Sequence, residues 1–320
     1  MFDVAACLKS SYAIEVALLT LLPVGADLNA SVYRANGSDQ RSYFVKVTRG
    51  RPSLKCTALL QKSNIPHVVY PVKTLDGELF QRTGDLAVIV YPYIEGKDGF
   101  VTSLSNEQWV ELGRTLRGVH TMEVPAALGV ACEKFLSKWR QVVRSIYEKE
   151  PQIRDAIGSE LWQFLQEKRE QILQIVERSD ELSEKVRQRS YANVLCHSDI
   201  HAGNVLITSG GEFYIVDWDH PILAPKERDL MFFGGGVGNV WNQPDEVKQF
   251  YQGYGAVDID RTLLSYYRFE RIVEDIAEYY CELLLHPIEG RDRLGMYRQF
   301  TAMFAPNGVV DIAFASEHRE

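Results

Sequence analysis

The sequence predicts a two-lobed α+β chain: a small antiparallel sheet with accompanying helix in a first lobe, then a mainly helical second lobe. Alternating apolar runs punctuated by turn residues dominate the chain up to Tyr91, whereas apolar residues spaced by three and four take over from Ser105 onward. At 320 residues the chain also exceeds a typical single core, with 46% hydrophobic and 24% charged residues in ordinary globular proportion. The expected division is 1–94 and 95–320, with Tyr91-Pro92-Tyr93-Ile94 leading into the polar, glycine-containing stretch Glu95-Gly96-Lys97-Asp98-Gly99 as a hinge.

In the first lobe, Val4, Leu8 and Tyr12 share one face of a helix over 3–13, and Val16 to Leu19 reads as extended. Ser31 to Ala35 and Ser42 to Val47 alternate on either side of Asn36-Gly37, a hairpin signal. A short helix is expected over 54–63, and strands over 67–72 and 86–91. In the second lobe, Ser105 with Gln108 fits a capping box, followed by the apolar face Trp109, Leu112, Leu116 and Val119. Further helices are expected at about 133–148, 159–177, 179–190, 227–233, 246–254, 261–285 and 292–304. Gly234-Gly235-Gly236 has no following Gly-Lys-Ser/Thr, so it is no phosphate loop and reads as a flexible turn.

The run Leu195-Cys196-His197-Ser198-Asp199-Ile200-His201-Ala202-Gly203-Asn204 and the later Asp217 carry the chemistry. Asp199 stands two residues after His197 and five before Asn204, and Asp217 follows thirteen further on at the end of an apolar strand. That is the order found at phosphoryl-transfer centres of the kinase type. One carboxylate, Asp199, is needed to orient an attacking hydroxyl and take its proton. An amide oxygen from Asn204 and a carboxylate from Asp217 suit Mg²⁺, which prefers hard oxygen ligands. Val205 to Ile207 and Phe213 to Val216, joined at Ser209-Gly210-Gly211, predict a hairpin that brings Asn204 and Asp217 to one edge. Zinc on Cys196, His197 and His201 is disfavoured, because no second cysteine pair stands nearby.

Lys46 lies among apolar neighbours on a strand, where an ammonium needs a negative partner, and phosphate oxygens fit. The loop around Gly25 is placed to cover nucleotide phosphates, although it lacks repeated glycines. Backbone groups of Pro92, Tyr93 and Ile94 are candidates for adenine recognition.

Charge is unevenly distributed. Residues 1–196 carry 25 Lys plus Arg against 23 Asp plus Glu, while residues 197–320 carry 10 against 20. An acidic catalytic half concentrates cationic small molecules, so the acceptor is expected to be an amine. Glu270, Glu274 and Glu278 recur every fourth residue, a like-charge ladder that either faces solvent or is answered by a cation. With Asp219, Trp241 and Tyr267, Glu270 and Glu274 are the candidates for acceptor binding. A net charge of −8 argues against a nucleic-acid partner. Five scattered cysteines without a Cys-x-x-Cys pair suggest neither a disulfide framework nor a zinc ribbon. No run is long and apolar enough to span a bilayer and no secretory pattern opens the chain, so a cytoplasmic monomer is expected.

The chain resembles the aminoglycoside phosphotransferase family, small-molecule relatives of the protein kinases. The resemblance rests on His197 to Leu206, Asp217-Trp218-Asp219, Leu223 to Phe232 and Gly234 to Asn242, and continues through Tyr251 to Gly255 and Tyr266 to Ile276. It implies a bilobal protein-kinase-like fold and ATP-dependent transfer of the γ-phosphate to a hydroxyl of a cationic aminocyclitol antibiotic. Asp199 then takes the catalytic-base position, Asn204 and Asp217 the Mg²⁺ positions, and Lys46 the phosphate position. Other acceptors of the same type, another aminoglycoside or a choline-like amino alcohol, remain open. One departure stands out. The family supplies an acid on the helix after the lysine strand, but Val47 to Leu75 contain neither Asp nor Glu. That absence motivates a third reading, a nucleotide-binding homologue without turnover.

Overall fold

The computed structural model describes residues 2–22, 30–50, 52–285 and 292–316, and Gly25 lies outside these described residues. In chain order the elements are α1 (Val4–Tyr12), β1 (Val16–Leu22), β2 (Ala30–Gly37), β3 (Ser42–Arg49), α2 (Lys55–Lys62), β4 (Gln81–Thr83), β5 (Leu86–Pro92), β6 (Gly96–Asp98) and α3 (Asn106–His120). They continue with α4 (Trp139–Ser145), α5 (Ala156–Glu167), α6 (Arg169–Arg187), β7 (Val194–Cys196), β8 (Val205–Thr208), β9 (Phe213–Ile215) and β10 (Ile222–Ala224). The remainder is α7 (Glu227–Leu230), α8 (Pro244–Tyr254), α9 (Arg261–Tyr280), α10 (Arg293–Ala302) and α11 (Val309–Ala315).

The chain forms two compact units, and the division differs from a single cut at 94/95. The first comprises Met1–Thr102, Val124–Gly129 and Asn204–His220; the second comprises Ser103–Glu123, Val130–Gly203 and Pro221–Glu320. The hairpin bearing Asn204 and Asp217 therefore belongs to the sheet-bearing unit, because β6 pairs with β8 and draws it there.

In the first unit the sheet order is β1-β2-β3-β5-β4, antiparallel throughout. Its buried face, Ala35, Tyr43, Val45, Val47, Val88 and Val90, packs against Val4, Cys7, Leu8 and Tyr12 of α1. The β2–β3 turn runs through 38–41 rather than through Asn36-Gly37, since Asn36 already pairs with Ser42 and Asp39 caps the Arg41 N–H at 3.1 Å. The expected strand at 67–72 does not form. His67 adopts a left-handed φ of 58° and stacks on Phe213, leaving one isolated bridge from Val68 to Ile215.

The second unit is helical around α9, whose buried face includes Leu263, Tyr266, Phe269, Ile272, Val273 and Ile276. Asp260 caps α9 by accepting from the N–H groups of Thr262 and Leu263, and the helix ends in a π-helical turn, Cys281–Leu285. The capping box at Ser105 and Gln108 is present. Residues 133–138 stay out of α4 because Phe135 takes a φ of 53° and Glu133 turns back to accept from two backbone N–H groups. The break between the next two helices falls at Lys168 rather than near 178, since Asp155 starts α5 early by capping Gly158. Gly234-Gly235-Gly236 is a packed turn, not a loose one: a Cβ on Gly235 would lie 2.1 Å from the Met231 carbonyl oxygen.

Helices α3 and α8 approach through two glycines. A Cβ on Gly253 would lie 1.8 Å from the Val110 oxygen, and one on Gly113 would lie 2.1 Å from the Phe250 oxygen. Neither obstacle is a flexible side chain, so the backbones themselves must separate. Gly253→Ala should therefore lower the melting temperature by about 5–10 °C, while Gly210→Ala, whose Cβ meets nothing nearer than 3.7 Å, should leave it within about 1 °C. Equal melting curves for the two variants would contradict this packing.

Candidate active site

The first unit assembles the groups suited to phosphate and metal. Lys46 sits on β3 opposite Val32 of β2 and Ile89 of β5, both buried, so its ammonium is surrounded by apolar surface. An ammonium there needs an anion, and Asp219 supplies it in a direct ion pair, with both side chains largely buried. The acid missing from the helix after the lysine strand is thus delivered from 173 residues away. Asp219, expected at the acceptor, is instead the partner of Lys46.

Asn204 is buried, and its backbone carbonyl accepts from the Val216 N–H at 2.9 Å. With Val205 opposite Ile215 in the β8–β9 ladder, this bond fixes the start of one strand to the end of the next. Asp217 follows with a left-handed φ of 62°, a conformation costly for a non-glycine residue and typical of functional turns. An amide oxygen and a carboxylate at the same end of one short hairpin form a donor set that fits Mg²⁺.

In the segment expected as a hinge, which lies inside the first unit, Pro92 has no N–H and the Tyr93 N–H donates to the Ser42 carbonyl at 3.0 Å. That leaves the Ile94 N–H and the carbonyls of this segment for an adenine edge. The Arg34 guanidinium covers the Tyr93 ring at 4.2 Å.

The second unit holds Asp199. The backbone before it is anchored by Asp229, fully buried, whose carboxylate accepts from the His197 N–H at 2.8 Å and the Ser198 N–H at 2.7 Å. His120 bridges the same carboxylate (3.1 Å) and the Tyr254 hydroxyl (2.7 Å). Ser198, at a φ of 73°, is the residue this anchor holds in an unfavourable conformation. His120, Cys196 and Asp229 lie close enough to suggest a metal cluster, but the imidazole and carboxylate are already spent on these bonds.

The Asp199 side chain is 46% exposed and ion-paired with Arg271, with His201 Nε2 at 3.5 Å. Loss of water around Asp199 works against its charge. Arg271 and His201 outweigh that loss and hold the carboxyl well below the usual carboxylate range. Arg271 also bonds Asp275, one helical turn on, at 2.7 Å. Burial pushes the Asp275 carboxyl up to about 6 even against Arg271, and the charges of Glu274 and Asp199 add to the rise. One guanidinium thus serves two carboxylates, of which Asp199 is the more readily ionised.

Ser198 and Arg271 line a cavity of about 390 Å³ together with Leu136, Lys138, Trp139, Arg228, Tyr267, Glu270 and Glu274. Tyr267 has a hydroxyl that is buried and without a hydrogen-bond partner. Two rungs of the glutamate ladder turn toward partners of their own, while Glu278 is exposed. Glu270 is buried and accepts from Arg140 Nε at 2.6 Å and from Ser179 Oγ, while Glu274 accepts from Trp139 Nε1 at 2.9 Å. Trp241 is outside the cavity lining; it is 4% exposed and packed on Trp109 and Phe233, which makes it a core residue. Sequence reasoning set Asp229 aside as structural, which its bonds to the His197 and Ser198 N–H groups agree with, and missed Arg271 as the partner of Asp199. The i,i+4 spacing of Arg271 and Asp275 was a visible signal for half of that network.

Residues 20–265 match the model of the phosphotransferase enzyme family. A crystal structure of a spectinomycin phosphotransferase, APH(9)-Ia, in complex with ADP and spectinomycin aligns with a TM-score of 0.90 at 42% identity, covering 98% of this chain and 97% of that one. An AMP-bound complex of that enzyme aligns with a TM-score of 0.86 at 40% identity, covering 98% of each chain. Protein StrN of Streptomyces griseus is 26% identical over 202 residues, which are 61% of this chain and 63% of StrN, so that match spans under two thirds of the relative. These likenesses cover the sheet-bearing and the helical unit alike, in a kinase-like fold.

Replacing Arg271 by Met removes the cation while burial remains, so the Asp199 carboxyl should titrate within or above the ordinary carboxylate range. A carboxyl-carbon NMR titration reads this directly; an unmoved titration would show that Arg271 is not what keeps Asp199 ionised.

Proposed function

Because the chain belongs to the phosphotransferase enzyme family, we propose that it transfers the γ-phosphoryl group of ATP to a hydroxyl of spectinomycin and thereby confers resistance to that antibiotic. The observation that carries the reading is the ionised, half-exposed Asp199, paired with an Arg271 that lines a cavity walled by charged and aromatic side chains. Identity of 42% across nearly the full length to an enzyme crystallised with ADP and spectinomycin supports the choice of acceptor.

Asp199 accepts a hydrogen bond from the acceptor hydroxyl and aims its oxygen at the phosphorus. A carboxylate held so far below its usual range is a weak base, so it orients the hydroxyl first and takes the proton only as the new O–P bond forms. Lys46 exchanges part of its contact with Asp219 for phosphate oxygens of ATP. Asn204 and Asp217 would hold Mg²⁺, which would supply charge neutralisation on the phosphates. Glu274 favours a cationic acceptor, whereas Glu270 is already neutralised by Arg140. The use of ATP fits a cytoplasmic enzyme, and the proposal takes the protein as a monomer.

Another amine-bearing alcohol is the second reading, since a carboxylate such as Glu274, which forms no ion pair among the described residues, selects for positive charge more than for ring structure. The third reading, binding without turnover, loses its motive now that Asp219 meets Lys46.

Asp199→Asn keeps the shape of the side chain and removes the base. It should reduce phosphorylation of spectinomycin at least about 100-fold, while ADP still raises the melting temperature of the variant as it does for the unaltered protein. Transfer at the unaltered rate would remove Asp199 from the mechanism.

A further inference from the structure

The wall of the cavity formed by the start of α4 holds a cation of the protein's own. Lys138 Nζ lies 4.2 Å from the centroid of the Trp139 ring, and both residues line the cavity with Glu274. We propose that the Trp139 face and the Glu274 carboxylate form a seat for an alkylammonium group of the acceptor, and that Lys138 fills this seat until the acceptor displaces it. This deepens the functional reading above and rests on it.

Four observations support the seat. Trp139 Nε1 donates to Glu274 Oε1 at 2.9 Å, which fixes the indole plane and sets a carboxylate at its edge. The other charged walls are already answered: Glu270 by Arg140, Arg228 by Glu133, and Arg271 by Asp199 and Asp275. Glu274, by contrast, forms no ion pair among the described residues. Tyr267 lines the same cavity with a hydroxyl that is buried and unpartnered, so the cavity holds polar capacity that the protein does not use.

An indole face attracts a cation through its quadrupole, and alkylated ammonium groups lose little hydration on meeting it. Lys138 is exposed and adjacent in sequence to the ring it covers, so its withdrawal disturbs no buried contact. Exchange of one ammonium for another leaves the net charge of the seat unaltered. Lys138 then acts as a competitor that sets a threshold on acceptor affinity, and a neutral molecule cannot repay the displaced contact.

The test is steady-state phosphorylation of spectinomycin by Lys138→Met, which keeps the aliphatic stem and removes the charge. The KM for spectinomycin should fall about two- to fivefold, with the KM for ATP as internal reference and Lys134→Met as the control for net charge. In a Trp139→Leu background the KM should rise, and Lys138→Met should then have no further effect. A KM that rises in Lys138→Met means that Lys138 itself holds the acceptor, and an unmoved KM means that it is a bystander; either result overturns the proposal. A titration with tetramethylammonium, read as the fluorescence change lost in Trp139→Phe, tests the seat without turnover and should tighten in Lys138→Met. Tetramethylammonium binding without spectinomycin phosphorylation would sink the choice of acceptor and leave the seat standing; phosphorylation without binding at Trp139 would do the reverse.

Discussion

A carboxylate that must stay charged while it is partly removed from water constrains everything around it. Asp199 meets that demand by pairing with Arg271, but a guanidinium taken into the protein needs compensation in turn. Asp275 supplies it from the same helix, leaving an Asp-Arg-Asp line in which Asp199 is held well below the usual carboxylate range and Asp275 is raised above it. The position of α9 follows from this requirement. Its apolar face packs into the helical unit, and its polar edge presents Glu270, Arg271 and Glu274 to the cavity, Arg271 also to Asp199, and Asp275 to Arg271.

The same rule explains contacts that look unrelated. Lys46 stands between two buried aliphatic residues and is met by Asp219. Arg140, 8% exposed, is answered by Glu270 and Asp180. Asp229 is fully buried and spends its charge on two backbone N–H groups and an imidazole, which stabilises a left-handed Ser198 immediately before Asp199. Buried charges therefore serve the site as struts. Each holds a functional group in one arrangement, because any other arrangement leaves a charge unpaired at a cost of several kcal/mol.

Much of the architecture was legible in local sequence. The capping box at Ser105, the apolar face of α1 and the Gly210-Gly211 hairpin are determined by residues within a few positions of one another, and each formed where expected. The spacing of Asp199, Asn204 and Asp217 was readable as a candidate motif for the same reason. The losses came where distant partners decide the outcome. His67 leaves the extended state to stack on Phe213, the Lys46 acid comes from Asp219, and Glu270 is drawn inward by Arg140 from α4. A like-charge ladder in one helix says nothing about a guanidinium delivered from another. Trp241 gave no local sign of whether it would line a cavity or pack on Trp109.

The most direct test of the account is the mass of spectinomycin recovered after incubation with the purified protein, ATP and Mg²⁺. The account predicts a product heavier by one phosphoryl group, formed in step with ADP. Unmodified spectinomycin beside accumulating ADP, or no ADP at all, would contradict it.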